Sequence, residues 1–159
     1  MQTFFFNYAH TVVFFHVLGA FVWVGGMIAI RAAVHPVMQS IEEPKIKLGK
    51  TLEITGRLFN LVMPFIALIL ITGLIMEIAM DGHHGANKGR FIAKEAIWTV
   101  MTLNYAFMYV KRARAWKLFR SGDLPAAKAL VADIPNLLLP INIALGVTAL
   151  WLGVSLRGY

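Results

Sequence analysis

The chain has 159 residues, of which 58% are hydrophobic and only 14% are charged, and it contains no Cys. A soluble domain carries roughly 25% charged residues, so this composition indicates that lipid covers much of the surface. The absence of Cys excludes disulfides, iron–sulfur ligation and thiolate zinc sites. The net charge of +7 lies mainly in loops beside apolar runs, which favours a membrane-topology signal over nucleic acid binding.

Four apolar segments predict an all-α fold, an integral membrane four-helix bundle formed by one domain over residues 1–159. The predicted spans cover residues 4–34, 58–80, 91–110 and 134–156. Each reaches the roughly 20 residues that cross a bilayer core. We expect span one to end at His35-Pro36, because the residue before Pro is disfavoured in a helix. Arg31 is its first charged side chain, so we expect a retained span rather than a signal peptide.

Basic residues follow spans one and three. The connector after span one holds three Lys and that after span three holds six Lys and Arg, whereas the loop after span two has only Lys88 and Arg90. Cytoplasmic loops of membrane proteins carry an excess of Lys and Arg. We therefore predict a bacterial-type inner membrane protein with both termini outside and both basic connectors in the cytoplasm.

His16 is the first ionisable side chain at membrane depth, where such groups are costly and mark functional candidates. Helical spacing places His16, Gly19, Ala20 and Trp23 on one face. The small residues beside the imidazole leave space for a flat group such as a porphyrin, with His16 as a metal ligand. The alternative is that Gly19 and Ala20 admit a neighbouring helix, to which His16 is hydrogen-bonded.

Two further histidines are candidate ligands with structural alternatives. His10 lies nearer the outer surface, where the position favours an interfacial histidine over a ligand. His35 lies at the cytoplasmic end beside Arg31, where it can cap the helix or contact lipid headgroups.

A stripe along span three contains Lys94, Trp98, Met101 and Tyr105. Lys94 can contact a cofactor carboxylate. Its alternative is to extend to the membrane surface, paired with Glu95 or Glu77. In span four, Asn142 and Gly146 share a face that predicts close helix packing with Asn142 as polar glue.

A second cluster follows span two and comprises Met76, Met80, His83 and His84. Thioether sulfur and imidazole together suit copper, and Met favours Cu(I). The alternative is a solvated turn, because glycines bracket the two histidines.

Several patterns in the sequence resemble the copper-resistance D (CopD) family and the related HemJ-type protoporphyrinogen oxidases. They are His16-x6-Trp23-Val-Gly25-Gly26 in span one, Thr72-Gly73 in span two, and Gly89-Arg90-x3-Lys94 entering span three. The likeness extends over most of the chain. Tyr105 stands where the oxidase type carries a His in its third helix.

The resemblance implies a b-type haem between the helices, beside Gly19 and Trp23 and with His16 as axial ligand. Arg31, Arg57 or Lys94 would then bind the propionates, and His10, His35 or Tyr105 is a candidate second ligand. The implied function is that of a haem b-binding redox protein that exchanges electrons with quinone or oxidises a porphyrinogen.

Two other functions remain open from the sequence. One is copper uptake or resistance, with the external Met and His cluster as the entry site for copper. The other is a small structural subunit of a larger membrane complex or homo-oligomer, without a cofactor of its own.

Overall fold

A computed structural model describes residues 2–84 and 87–156, and these residues form helices and connecting turns with no strand. This confirms the predicted all-α bundle. Helix α1 consists of the consecutive segments Gln2–Ala20, Phe21–Gly25, Gly26–Ala29, Ile30–Val34 and His35–Gln39. Helix α2 is Pro44–Ala79, α3 is Lys88–Arg120 and the short α4 is Leu124–Val131. Helix α5 consists of Ile134–Leu138 and Leu139–Ser155.

The predicted end of span one at His35-Pro36 is wrong, because α1 continues to Gln39. The segment Ile30–Val34 just before it is a π-helical turn, which inserts an extra residue into the helix. Pro36 therefore lies in the first turn of the segment that follows, where a missing N–H costs little.

Helices α2 and α3 are both longer than their predicted spans. Beyond the apolar runs, Leu48 and Leu52 of α2 pack with Ala115 of α3 and Ala127 of α4 in a second small core. This contact stabilises helix where hydropathy alone predicts a connector. Asp123 begins α4, and its side chain accepts a hydrogen bond from the N–H of Ala126 at 3.1 Å.

The four long helices form a closed ring in which α1 packs on α2, α2 on α3, α3 on α5, and α5 on α1. We call the end at which α1 ends and α2 begins the basic end of the bundle. The central core contains Trp23, Met27, Phe59, Met108 and Leu139, among others.

The outer surface of the bundle is apolar. Phe21 is 72% exposed and Trp151 is 68% exposed, as expected for side chains that face lipid. Three segments, Asn7–Gln39, Pro44–Ala79 and Leu124–Ser155, are long and apolar enough to cross a membrane. Helix α3 has a more polar composition than these three. The apolar helices indicate a lipid bilayer environment.

The predicted packing face of span four is confirmed. Asn142 is fully buried and donates to the backbone oxygen of Met101 at 3.1 Å. Its side-chain oxygen accepts a 2.8 Å bond from Asn104, which also donates to Leu138 O at 2.8 Å. These bonds join α3 to α5.

Candidate functional site

His16 lies in the contact between α1 and α2. Its Nδ1 is 3.0 Å from the hydroxyl oxygen of Thr72, so the predicted hydrogen bond across a helix interface is confirmed. Thr72 is itself buried, with 6% of its surface exposed. In the sequence, Thr72 was noted only as part of the Thr72-Gly73 pattern. Its position in the middle of span two could have identified it as a hydrogen-bond partner for His16.

The hydroxyl of Thr72 determines which nitrogen of His16 carries the proton. Its one hydrogen is donated to Leu68 O at 2.6 Å, with Ile69 O at 3.3 Å. The Thr72 oxygen therefore accepts, and Nδ1 of His16 donates. A neutral imidazole protonated on Nδ1 has a free lone pair on Nε2, which is the form that binds metals.

The glycines near His16 admit helix α2. A Cβ at Gly19 would lie 2.8 Å from Ile69 Cγ1 and 3.3 Å from Phe65 O. Gly73 faces the imidazole, with His16 Cε1 at 3.5 Å from where a Cβ would stand. The alternative in which small residues of span one admit a neighbouring helix therefore holds at Gly19.

Lys94 extends into the bundle from α3. Its Nζ is 3.4 Å from the position a Cβ would take at Gly153 of α5, so the absence of a side chain there makes room for the ammonium. Among the residues that the structure describes, no carboxylate pairs with Lys94, so the predicted pairing with Glu95 or Glu77 is wrong. A partly buried ammonium at membrane depth favours a nearby anion or acceptor.

Further polar atoms on α1 and α3 are buried without a hydrogen-bond partner in the described parts of the chain. They are the indole nitrogens of Trp23 and Trp98 and the hydroxyl of Thr102. Trp23 is 2% exposed, and Trp98 packs against the same core. Native proteins rarely leave such donors unpaired, and each unpaired donor costs about 1–3 kcal/mol.

Tyr105 has a structural role. Its hydroxyl donates to Phe59 O at 2.5 Å, and its ring packs edge-on against Phe59 and Trp23, with centroid distances of 5.3 Å and 6.2 Å. The hydroxyl hydrogen of Tyr105 therefore joins α3 to the backbone of α2.

The remaining haem candidates lie apart from His16. Arg31 and His35 are about four and five helical turns further along α1, and His35 contacts Gln39 at 3.3 Å. Arg57 is exposed and paired with Glu53 at 2.8 Å. His10 is exposed on α1.

A cavity of about 380 Å³ lies at the basic end between α1, α2, Arg112 of α3 and the α4–α5 junction. Ile30, Leu58 and Phe59 are among its apolar lining residues, and His35, Lys47 and Lys128 are among its polar ones. The Nε of Arg112 donates to Leu52 O at 2.8 Å. Burial lowers the pKa of the Arg112 guanidinium from its usual value, but Arg side chains in proteins stay protonated.

The four candidate copper ligands have separate surroundings. Met76 packs with Phe5, Val12 and Ala79, and Met80 is 50% exposed. His84 pairs with Asp81 at 2.7 Å, whereas His83 contacts Glu77 and Glu95.

Comparisons of this chain with protein-family models, with curated proteins and with solved structures returned no match.

Proposed function

We propose that this chain is a haem b-binding membrane redox protein of the CopD/HemJ-like type. The observation that carries the proposal is the hydrogen bond from His16 Nδ1 to Thr72, which leaves Nε2 of a membrane-embedded imidazole unprotonated. Metal-ligating histidines are oriented by a bond of this kind at their other ring nitrogen. The resemblance to CopD and HemJ patterns, which include both His16 and Thr72, agrees with the same proposal.

The polar groups inside the bundle fit the rest of such a cofactor. Lys94 is a half-buried cation that no carboxylate pairs with in the described residues, which suits a propionate. The unpaired indole nitrogens of Trp23 and Trp98 supply further donors. A bound haem b supplies one-electron redox chemistry, while the protein sets its ligation, electrostatics and access to water. Because α2 contacts Gly19 closely, the cofactor lies on the opposite side of His16 from Ile69 in this proposal.

We further propose four membrane crossings in a bacterial-type inner membrane, with both termini outside and the basic end in the cytoplasm. Support comes from the Lys and Arg residues of the connectors after α1 and α3, which the fold gathers at one end. Alkaline phosphatase fused after Arg120 tests the orientation. We expect no activity there, and an active fusion contradicts the proposed topology.

Quinone is the proposed electron partner, and the cavity at the basic end is its proposed site. Its apolar lining suits an isoprenoid tail, and its cationic and imidazole groups can donate to quinone oxygens. Phe59 lines the cavity and contacts Tyr105, which in turn contacts Trp23 on the helix that carries His16. These ring contacts connect the cavity at the basic end with the helix that carries His16.

The test of haem binding is an absorption spectrum of protein purified from haem-replete cells. We expect a Soret band that His16→Ala abolishes and that Thr72→Val weakens through haem affinity lower by about 10- to 100-fold. His10→Ala is the matched control, because His10 is an exposed histidine of the same helix. A colourless wild-type protein, or a band that survives in His16→Ala, refutes the proposal.

Quinone binding is tested by following haem reduction with a short-chain quinol. Thr55→Trp fills the cavity and is expected to slow the reduction, whereas Thr99→Trp on the exposed face of α3 leaves it unchanged. Equal rates in the wild type and Thr55→Trp refute the quinone site.

A further inference from the structure

A separate group of side chains lies at the end of the bundle opposite the basic end. Glu77 comes from the last turn of α2, His83 from the following turn, and Glu95 from the start of α3. One ligand atom from each, two carboxylate oxygens and an imidazole nitrogen, lie within 4.8 Å of one another. Donor atoms at this separation can coordinate a single metal ion.

The end of α2 explains why His83 lies over Glu77. Asp81 has a left-handed backbone with φ of 52°, and the N–H of Gly82 donates back to Glu77 O at 2.9 Å, which together form a Schellman-type helix end. A Cβ on Gly82 would lie 2.8 Å from Phe91 Cδ1 and 3.0 Å from Glu77 Cγ. Glycine at this position therefore lets the chain turn back and places the His83 imidazole beside the carboxylate.

The burial of Glu77 beside a second carboxylate favours the binding of a cation. Glu77 is only 7% exposed, and its Oε1 is shielded from solvent with no hydrogen bond of acceptable geometry. His83 Nε2 is its nearest partner and also lies 3.4 Å from Glu95 Oε1. One imidazole N–H thus faces two carboxylates.

No other positive group compensates the two carboxylates in the described residues. None of the ion pairs formed there joins a Lys or Arg to Glu77 or Glu95. A carboxyl group buried beside a second carboxylate either stays ionised at a cost or holds a proton. A bound cation would replace that proton and stabilise both carboxylates.

We propose that Glu77, His83 and Glu95 form a binding site for a divalent metal ion, Zn²⁺ ahead of Mn²⁺. Carboxylate oxygen and imidazole nitrogen suit these ions and not Cu(I), which favours sulfur ligands. Three protein ligands leave at least one position open to water or a substrate. The side chains of His83 and Glu95 are 52% and 43% exposed, so the ion has access from solvent. The site is independent of the proposed haem at His16.

The test is metal titration of tag-free protein in detergent, after treatment with a chelator. We expect calorimetry to show one Zn²⁺ per chain with an affinity higher than that for Mn²⁺. We also expect that Zn²⁺ raises the thermal unfolding temperature, because a ligand that binds only the folded state stabilises it. Both effects are expected to disappear in His83→Ala and in Glu95→Gln, and in Glu77→Gln if that variant folds.

His84→Ala is the matched control, because His84 is the neighbouring exposed histidine and pairs with Asp81 instead. We expect it to bind Zn²⁺ as the wild type does. Wild-type protein that binds no Zn²⁺, or equal losses in His83→Ala and His84→Ala, overturns the proposal. The Soret band of His83→Ala is expected to match that of the wild type, so this result is separate from the haem test.

Discussion

Replacing Asn142 with Ala tests how strongly side-chain hydrogen bonds hold α3 and α5 together. Asn142 is fully buried, and its amide bridges α3 and α5 by accepting from Asn104 and donating to Met101 O. The substitution removes both bonds at once. It also leaves one N–H of Asn104 without an acceptor, while the other still bonds Leu138 O.

The expected loss of stability follows from the two hydrogen bonds that the substitution removes. Side-chain hydrogen bonds between helices in a membrane contribute about 0.6 kcal/mol on average and at most about 1.7 kcal/mol. A donor left unpaired in the interior costs about 1–3 kcal/mol. We therefore expect Asn142→Ala to lower the free energy of unfolding by about 1–3 kcal/mol. We expect a coupling energy between Asn104→Ala and Asn142→Ala of about 0.6–1.7 kcal/mol.

The assay is reversible unfolding in mixed detergent micelles for the wild type, both single variants and the double variant. Thr148→Ala is the control, because Thr148 is exposed on α5 and bonds only Ala144 O of its own helix. It should change stability by no more than about 0.5 kcal/mol. A coupling energy of zero, or equal effects of Asn142→Ala and Thr148→Ala, refutes the role of the pair.

Three further substitutions are tested in the same assay. Gly19→Ala places a methyl group against α2 and should destabilise the protein by about 1–3 kcal/mol, whereas Gly89→Ala, with open space around it, should not; equal effects would contradict the tight contact. Tyr105→Phe removes the bond to α2 and should cost about 1 kcal/mol without shifting the Soret band; a shifted band would contradict its structural role. Asp123→Ala removes the cap of α4 and should cost about 0.5–2 kcal/mol; unchanged stability would contradict the cap.

The fold could be predicted from the sequence because bilayer spans depend on composition over about 20 residues, which a single sequence displays directly. Asn142 was equally visible, since a polar side chain among small residues in a span needs a partner on another helix. The ends of the helices could not be predicted from the sequence in this way. Beyond the apolar runs, α2 and α3 are stabilised by the small core that contains Leu52 and Ala115, and packing between distant residues leaves no local signal.

The candidate sites likewise include residues that the sequence identified and residues that only the fold identified. His16 stood out because an imidazole at membrane depth is conspicuous, but its partner Thr72 is 56 residues away and is identified only by the fold. The group of Glu77, His83 and Glu95 was missed because His83 was grouped with nearby Met residues. The turn at Gly82 directs that histidine to the carboxylates instead. Proximity in the sequence therefore does not show the contact of His83 with Glu77 and Glu95.

The buried donors favour the proposed cofactor-binding bundle over a structural subunit. A partner protein would cover the outer face of the helices, where Phe21 and Trp151 are exposed. It would not reach the indole nitrogen of Trp23, because that side chain is 2% exposed and lies among core residues. The same holds for the buried nitrogen of Trp98. In the proposed haem-binding function, the propionates of the porphyrin would enter between the helices and supply an acceptor for these donors and an anion for Lys94.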